Sequence, residues 1–128
     1  MLKEQDDRAS IGSGNIDITL GDEELTLRPS FRAAKTISTK YGGFTSAIER
    51  IMRLEIDVIA DVISSGLGYT STKRPPQDMA EKVYNEGLTD DSGRLAERCV
   101  LFVRVLASGG RMPGESDEAL DDVDPQTS

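Results

Sequence analysis

The sequence predicts an α+β fold that is predominantly α-helical: an N-terminal β-hairpin, then about five helices, then a disordered acidic C-terminal tail. Three observations lead there. Two short runs near the start alternate apolar and polar residues. From Phe31 onward the apolar residues recur at helical spacing, interrupted by glycines. After Gly109-Gly110 the stretch "RMPGESDEALDDVDPQTS" holds six acids and one base. Such a stretch buries too little apolar surface to offset its ordering entropy. The 128 residues suit one domain. Its limits are placed at 1–14 for a flexible, Gly-Ser-Gly-ended arm, 15–109 for the globular unit and 110–128 for the disordered tail.

In "NIDITL", Ile16, Ile18 and Leu20 fall on one face and Asp17 and Thr19 on the other, as in a half-buried strand. "ELTLR" alternates again through Leu25 and Leu27. The Gly21-Asp22 step between them reads as a hairpin turn. Pro29 has no N–H for the ladder and ends the second strand. Ser30 is a suitable N-cap for a first helix, Phe31 to about Lys40, with Phe31, Ala34, Ile37 and Tyr41 on its inner face. Gly42 and Gly43 stop it, one of them in the left-handed cap conformation.

Ser46 and Glu49 have capping-box spacing, which starts a second helix at Ala47 and carries it to about Leu54 with Ile48, Ile51 and Met52 apolar. A third helix spans about Glu55–Ser65 on Ile56, Ile59, Ala60 and Ile63, broadened by Val58 and Val62 and stopped by Gly66 or Gly68. Its β-branched content allows a strand, but period and length favour helix. "YTSTKRPP" is a loop. A fourth helix, Gln77–Glu86, turns Met79, Ala80, Val83 and Tyr84 inward and ends at Gly87. Thr89 to Ser92 offers caps for a fifth, about Gly93–Ser108, on which Leu95, Cys99, Phe102, Val103 and Leu106 form the most continuous apolar face.

Composition excludes several functions. The net charge of −8 repels phosphate backbones and anionic lipid, and Lys73-Arg74 is the only basic doublet. Neither nucleic acid nor a membrane is an expected partner. There is no His, which removes His-based triads and His/Cys metal sites. The single cysteine, Cys99, forms no internal disulfide and fits a reducing cytosol. No apolar run reaches the 18 or so residues of a membrane span. The carboxylate groups Asp22-Glu23-Glu24, Asp90-Asp91 and Asp121-Asp122 read as a solvated turn, a helix start and a solubilising tail. Cys99 sits on an apolar helix face and reads as a small hydrophobe rather than a reactive thiol. Gly66-x-Gly68 lacks the strand and third glycine of a dinucleotide fingerprint. No cofactor, metal or catalytic constellation is expected, and the chain reads as a non-enzyme. Tyr69, next to Lys73 and Arg74, either covers the core edge or belongs to an aromatic and basic contact patch.

The order of these elements, with "GNIDITLGDEELTLRPSF", "AAKTISTKYGGF", "IDVIADVISSGLG" and the turn "VYNEGLTD", resembles the small tail proteins of gene-transfer agents and siphophages. The resemblance covers about three quarters of the chain, from about Asn15 to Gly109, and rests on apolar and glycine patterns. It implies one of two roles: a tail assembly chaperone that binds the tape-measure protein and helps recruit major tail tube subunits, or a structural tail component retained in the particle. A tube wall needs many long strands, and two short ones favour the chaperone. The implied partners are the tape-measure protein, the major tail tube protein and a further copy of the chain. The implied location is the cytoplasm of the bacterial host during assembly, or else the virion tail. The expected protein-binding surface lies between the third and fourth helices, with Ile56, Tyr69, Met79 and Tyr84 as its candidates.

Overall fold

Residues 14–70 and 72–112 are described by the structure, a computed structural model. The first alternating run becomes strand β1 (Ile16–Leu20) and the second β2 (Glu23–Leu27). They pair antiparallel with Ile16 opposite Leu27, Ile18 opposite Leu25 and Leu20 opposite Glu23. This register puts Ile16, Ile18, Leu20 and Leu27 into the core and leaves Asp17 and Thr19 exposed. On the outer face the Thr26 hydroxyl donates to Asp17 Oδ1 across the pair, 2.8 Å. Gly21 turns the chain with φ 69°, and its N–H donates to Glu86 Oε1 at 2.8 Å, which ties the hairpin tip to the end of the fourth helix.

Five helices follow: α1 (Phe31–Tyr41), α2 (Phe44–Met52), α3 (Ile56–Gly66), α4 (Met79–Glu86) and α5 (Leu95–Ala107). The fold is thus mixed α+β and mostly helical, as the sequence predicts. None of these helices is long and apolar enough to cross a membrane. Ser30 caps α1 by accepting the Ala33 N–H at 3.0 Å, and Gly42 closes it in the left-handed conformation at φ 75°. The helix reading of "IDVIADVISSG" also holds. The chain stays packed to the end of the described residues, where the Gly110 N–H donates to Val105 O and Met112 lies against the core. The expected arm and disordered tail fall, apart from Gly14 and residues 110–112, outside the described residues.

Several local expectations are corrected. Helix α2 starts three residues early, at Phe44 after Gly43, so Ser46 sits in its first turn and makes no capping box. The Gly-Gly pair delivers the chain straight into the next helix, with Gly43 at φ 119°. The buried face of α1 is Ala33, Ile37 and Tyr41, with Ala34 half-buried, whereas Phe31 is 80% exposed. On α2 Met52 is 68% exposed, with Ala47 and Ile51 buried instead. On α4 Met79 and Val83 are buried while Tyr84 points out. Thr89–Ser92 does not cap α5. Asp90 closes a tight turn by accepting from the Ser92 N–H and hydroxyl, which holds its carboxyl below the usual range. Arg94, left-handed at φ 48°, then enters the helix.

The core lies between the hairpin and the five helices. Helix α5 packs on β1, α1, α2 and α3, and α3 packs on every other helix and on β2. Leu95, Cys99, Phe102, Val103, Val105 and Leu106 give α5 its buried side. Burial pushes the Cys99 thiol up to about 12, in keeping with its reading as an inert hydrophobe. Gly66 sits where three elements converge. A Cβ there would stand 2.8 Å from Leu27 Cβ and 3.1 Å from Phe102 Cε2. The neighbouring backbone is fixed too, since the Arg28 N–H donates to Gly66 O at 2.9 Å.

Two stability measurements test this core. Phe102 is fully buried, so Phe102→Ala is expected to cost about 3–5 kcal/mol in denaturant unfolding. An unchanged midpoint would place Phe102 outside the core. Gly66→Ala sets two effects against each other. Helix propensity favours Ala by less than about 1 kcal/mol, since Gly66 is the last residue of α3, but overpacking against the Leu27 stem costs about 1–3 kcal/mol. Net destabilisation is expected, and a stabilised variant contradicts the close approach.

Candidate functional site

A groove of about 1180 Å³ opens between the α1–α2 side of the molecule and the α3–α4 side. Three of the four residues expected from the sequence to bind a partner, Ile56, Met79 and Tyr84, line it together. They arrive there for different reasons. Ile56 begins α3 just outside the fully buried stretch and is half-buried. Met79 opens α4 and is 6% exposed, so it belongs mainly to the core. Tyr84 lies on the outer side of α4, 66% exposed. The fourth residue, Tyr69, is held just after α3 by its N–H bond to Ser64 O at 3.0 Å. It lines a neighbouring hollow of about 370 Å³ whose wall residues Lys40, Asp61, Ser64 and Pro75 are shared with the groove. Lys73 and Arg74 are exposed and line neither, and the basic residues that share the hollow with Tyr69 are Arg32 and Lys40 instead.

The first polar wall is a small network. The Tyr41 hydroxyl donates to Asp61 Oδ2, and Lys40 Nζ approaches the same oxygen at 2.6 Å. The Arg50 guanidinium lies 5.2 Å from the Tyr41 ring centre and pairs with Glu55 at 2.9 Å. Sequence spacing hides this network, because Tyr41 and Asp61 are twenty residues apart on different helices. Burial and then the bond to Asp61 raise the Tyr41 pKa far above the ordinary tyrosine range. Tyr41 is therefore a fixed hydrogen-bond donor at neutral pH. Asp57, one turn before Asp61 on α3, and Glu81 on α4 also line the groove and make no ion pair among the described residues. The groove thus combines apolar side chains with the Tyr41–Asp61 network and the carboxylates of Asp57 and Glu81.

Leu54 is an exposed apolar groove residue that the sequence reading did not single out. It joins α2 to α3 with φ 64° and is 40% exposed at the groove. The left-handed conformation costs a branched residue about 1–2 kcal/mol. Gly or Asn takes it more readily, and exposure leaves Leu54 little burial to compensate. An apolar side chain held out under such strain fits a contact role. The signal was present in the sequence only as an unremarkable Leu between two helices.

Two substitutions probe the wall and the rim. Tyr41→Phe leaves Asp61 paired with Lys40, so a loss of about 1 kcal/mol is expected. The folded-state pKa of Tyr41 is raised, so native Tyr41 holds its proton more tightly than unfolded Tyr41. Its contribution is complete below the unfolded value of about 10 and falls away as pH rises above it. The stability gap between wild type and Tyr41→Phe should therefore narrow above that pH, and a gap that widens would contradict the bond. Leu54→Asn is expected to leave thermal stability unchanged or raise it by up to about 1 kcal/mol, since Asn tolerates left-handed φ. Marked destabilisation would mean that Leu54 is a packing residue.

Compared with known proteins, the chain matches no family model, no curated protein and no solved structure.

Proposed function

We propose that the groove is a docking site for an amphipathic helix and that the protein works as a non-enzymatic assembly adaptor. The observation carrying this reading is the groove's size and lining. Small-molecule pockets run to about 300–1,000 Å³ and enclose most of their ligand. This groove is somewhat larger, open to solvent and edged by the exposed Leu54 and Tyr84. Grooves with apolar floors receive the apolar face of a helix at i, i+3, i+4 and i+7 positions. The carboxylates of Asp57 and Glu81 at the groove suit a helix with basic residues flanking its apolar stripe.

The resemblance to small tail proteins supplies the partner. The docked helix belongs to a tape-measure protein, which this chain coats during tail assembly while helping to recruit major tail tube subunits. The work is done in the host cytoplasm, and the chain leaves before the particle is finished. The hairpin supports the chaperone over the retained tube component, because a two-stranded sheet of five-residue strands cannot supply the continuous wall of a tube subunit.

Co-expression tests the reading. The chain should raise the soluble yield of the tape-measure protein, and Tyr84→Ala and Leu54→Asn should each lower that yield while the domain stays folded. Undiminished rescue by both variants removes the groove from the interface. Mass spectrometry of purified particles separates the two roles. Finding the chain at the copy number of the major tube subunit overturns the chaperone role in favour of the structural one.

A further inference from the structure

The outer face of α1 is unlike the rest of the molecule. From Leu25 to Ile48 the chain holds no Asp or Glu, although acids outnumber bases 23 to 15 overall. The same run holds Arg28, Arg32, Lys35 and Lys40. Lys40 is engaged by Asp61, whereas Arg28, Arg32 and Lys35 form no ion pair among the described residues. Beside them Phe31 is 80% exposed. Phe31, Arg32, Lys35 and Thr39 border a shallow, mainly apolar hollow of about 550 Å³. The first turn of α1 carries no acid, so its positive end faces solvent with cations rather than anions around it.

We propose that the acidic segment 113–128 of the same chain docks on this face, around Phe31, Arg32 and Lys35. Charge is the first argument. The segment carries Glu115, Asp117, Glu118, Asp121, Asp122 and Asp124 and no base. Leu120 and Val123 supply apolar contacts for Phe31. Position is the second argument. The described chain ends at Met112, and just before it Gly109 and Gly110 share a hollow with Pro29, Ser30, Phe31 and Ala34. The segment therefore leaves the fold beside the first residue of α1.

Reach is the third argument. Sixteen residues span up to about 50 Å when extended, against about 16 Å for the eleven residues of α1. A short tether gives an effective concentration in the millimolar range, enough to sustain a weak electrostatic contact. The contact is with exposed charges, so salt weakens it. The contact requires no groove partner.

The test uses the full chain with a spin label at Ser128→Cys; the native Cys99 is buried and stays unlabelled. Paramagnetic broadening of backbone amides is read on α1 and on the hairpin tip. A second chain, with all six tail acids changed to Asn or Gln, gives the broadening due to tethering alone. The expected result is broadening at Phe31, Arg32 and Lys35 several-fold above that baseline, falling to it between about 0.05 M and about 0.5 M salt. Arg32→Glu with Lys35→Glu should abolish the excess. Mixing isotope-labelled chain without spin label and spin-labelled chain without isotope should give none. Equal broadening in the wild-type and neutralised tails overturns the proposal. So does excess that survives charge reversal, or that appears in the mixed sample and thereby assigns the contact to a second copy.

Discussion

The close approach at Gly66 is the constraint on which the rest of the structure depends. A helix can lie against both the end of β2 and the ring of Phe102 only if one residue there has no side chain. That contact joins the hairpin, α3 and α5 in one core. It also sets where α3 points, and so where Ile56, Ala60 and Asp61 stand along the groove. The Arg28–Gly66 backbone bond reinforces it, because an N–H just past the strand is satisfied by a carbonyl at the end of the helix. Glycine weakens a helix by up to about 1 kcal/mol, and less at the last position, where Gly66 stands. Here the loss of propensity is offset by the packing of three elements that a methyl group would separate.

How much of this was legible in the sequence depends on the range of the interaction concerned. The alternating faces of the hairpin, the Ser30 cap, the Gly42 stop and the buried face of α5 are local patterns, and the structure realises them. The misreadings have a common origin. Phe31, Met52 and Tyr84 each lie at helical spacing from buried neighbours, and periodicity alone assigns them to the core. The buried stripe of these short helices is narrower than the apolar one, so the residue at its edge faces solvent. The Ser46 capping box failed because Gly43 already supplies the turn that begins α2, one helical turn upstream. The candidate site was half legible. Ile56, Met79 and Tyr84 converge, yet Tyr69 lies next door, and the Tyr41–Asp61 contact depends on a tertiary fold that spacing does not encode.

Helix α1 links the two surfaces. Its inner side, through Tyr41, braces Asp61 and so fixes one wall of the groove. Its outer side carries the acid-free basic face. Arg32, Thr36 and Lys40 line both the outer hollow and the hollow that holds Tyr69, which in turn shares its wall with the groove. The surfaces are therefore contiguous rather than opposite. Lys40 is a residue between them, since its ammonium pairs with Asp61 on the groove side and its side chain also lines the outer hollow. Negative charge brought to the outer face would compete with Asp61 for that ammonium. Because the Lys40 side chain is more than half exposed, the competition is screened and modest in energy. Its effect falls on the neutralisation of the groove wall rather than on the stability of the fold, which rests on the apolar contacts around Gly66 and Phe102.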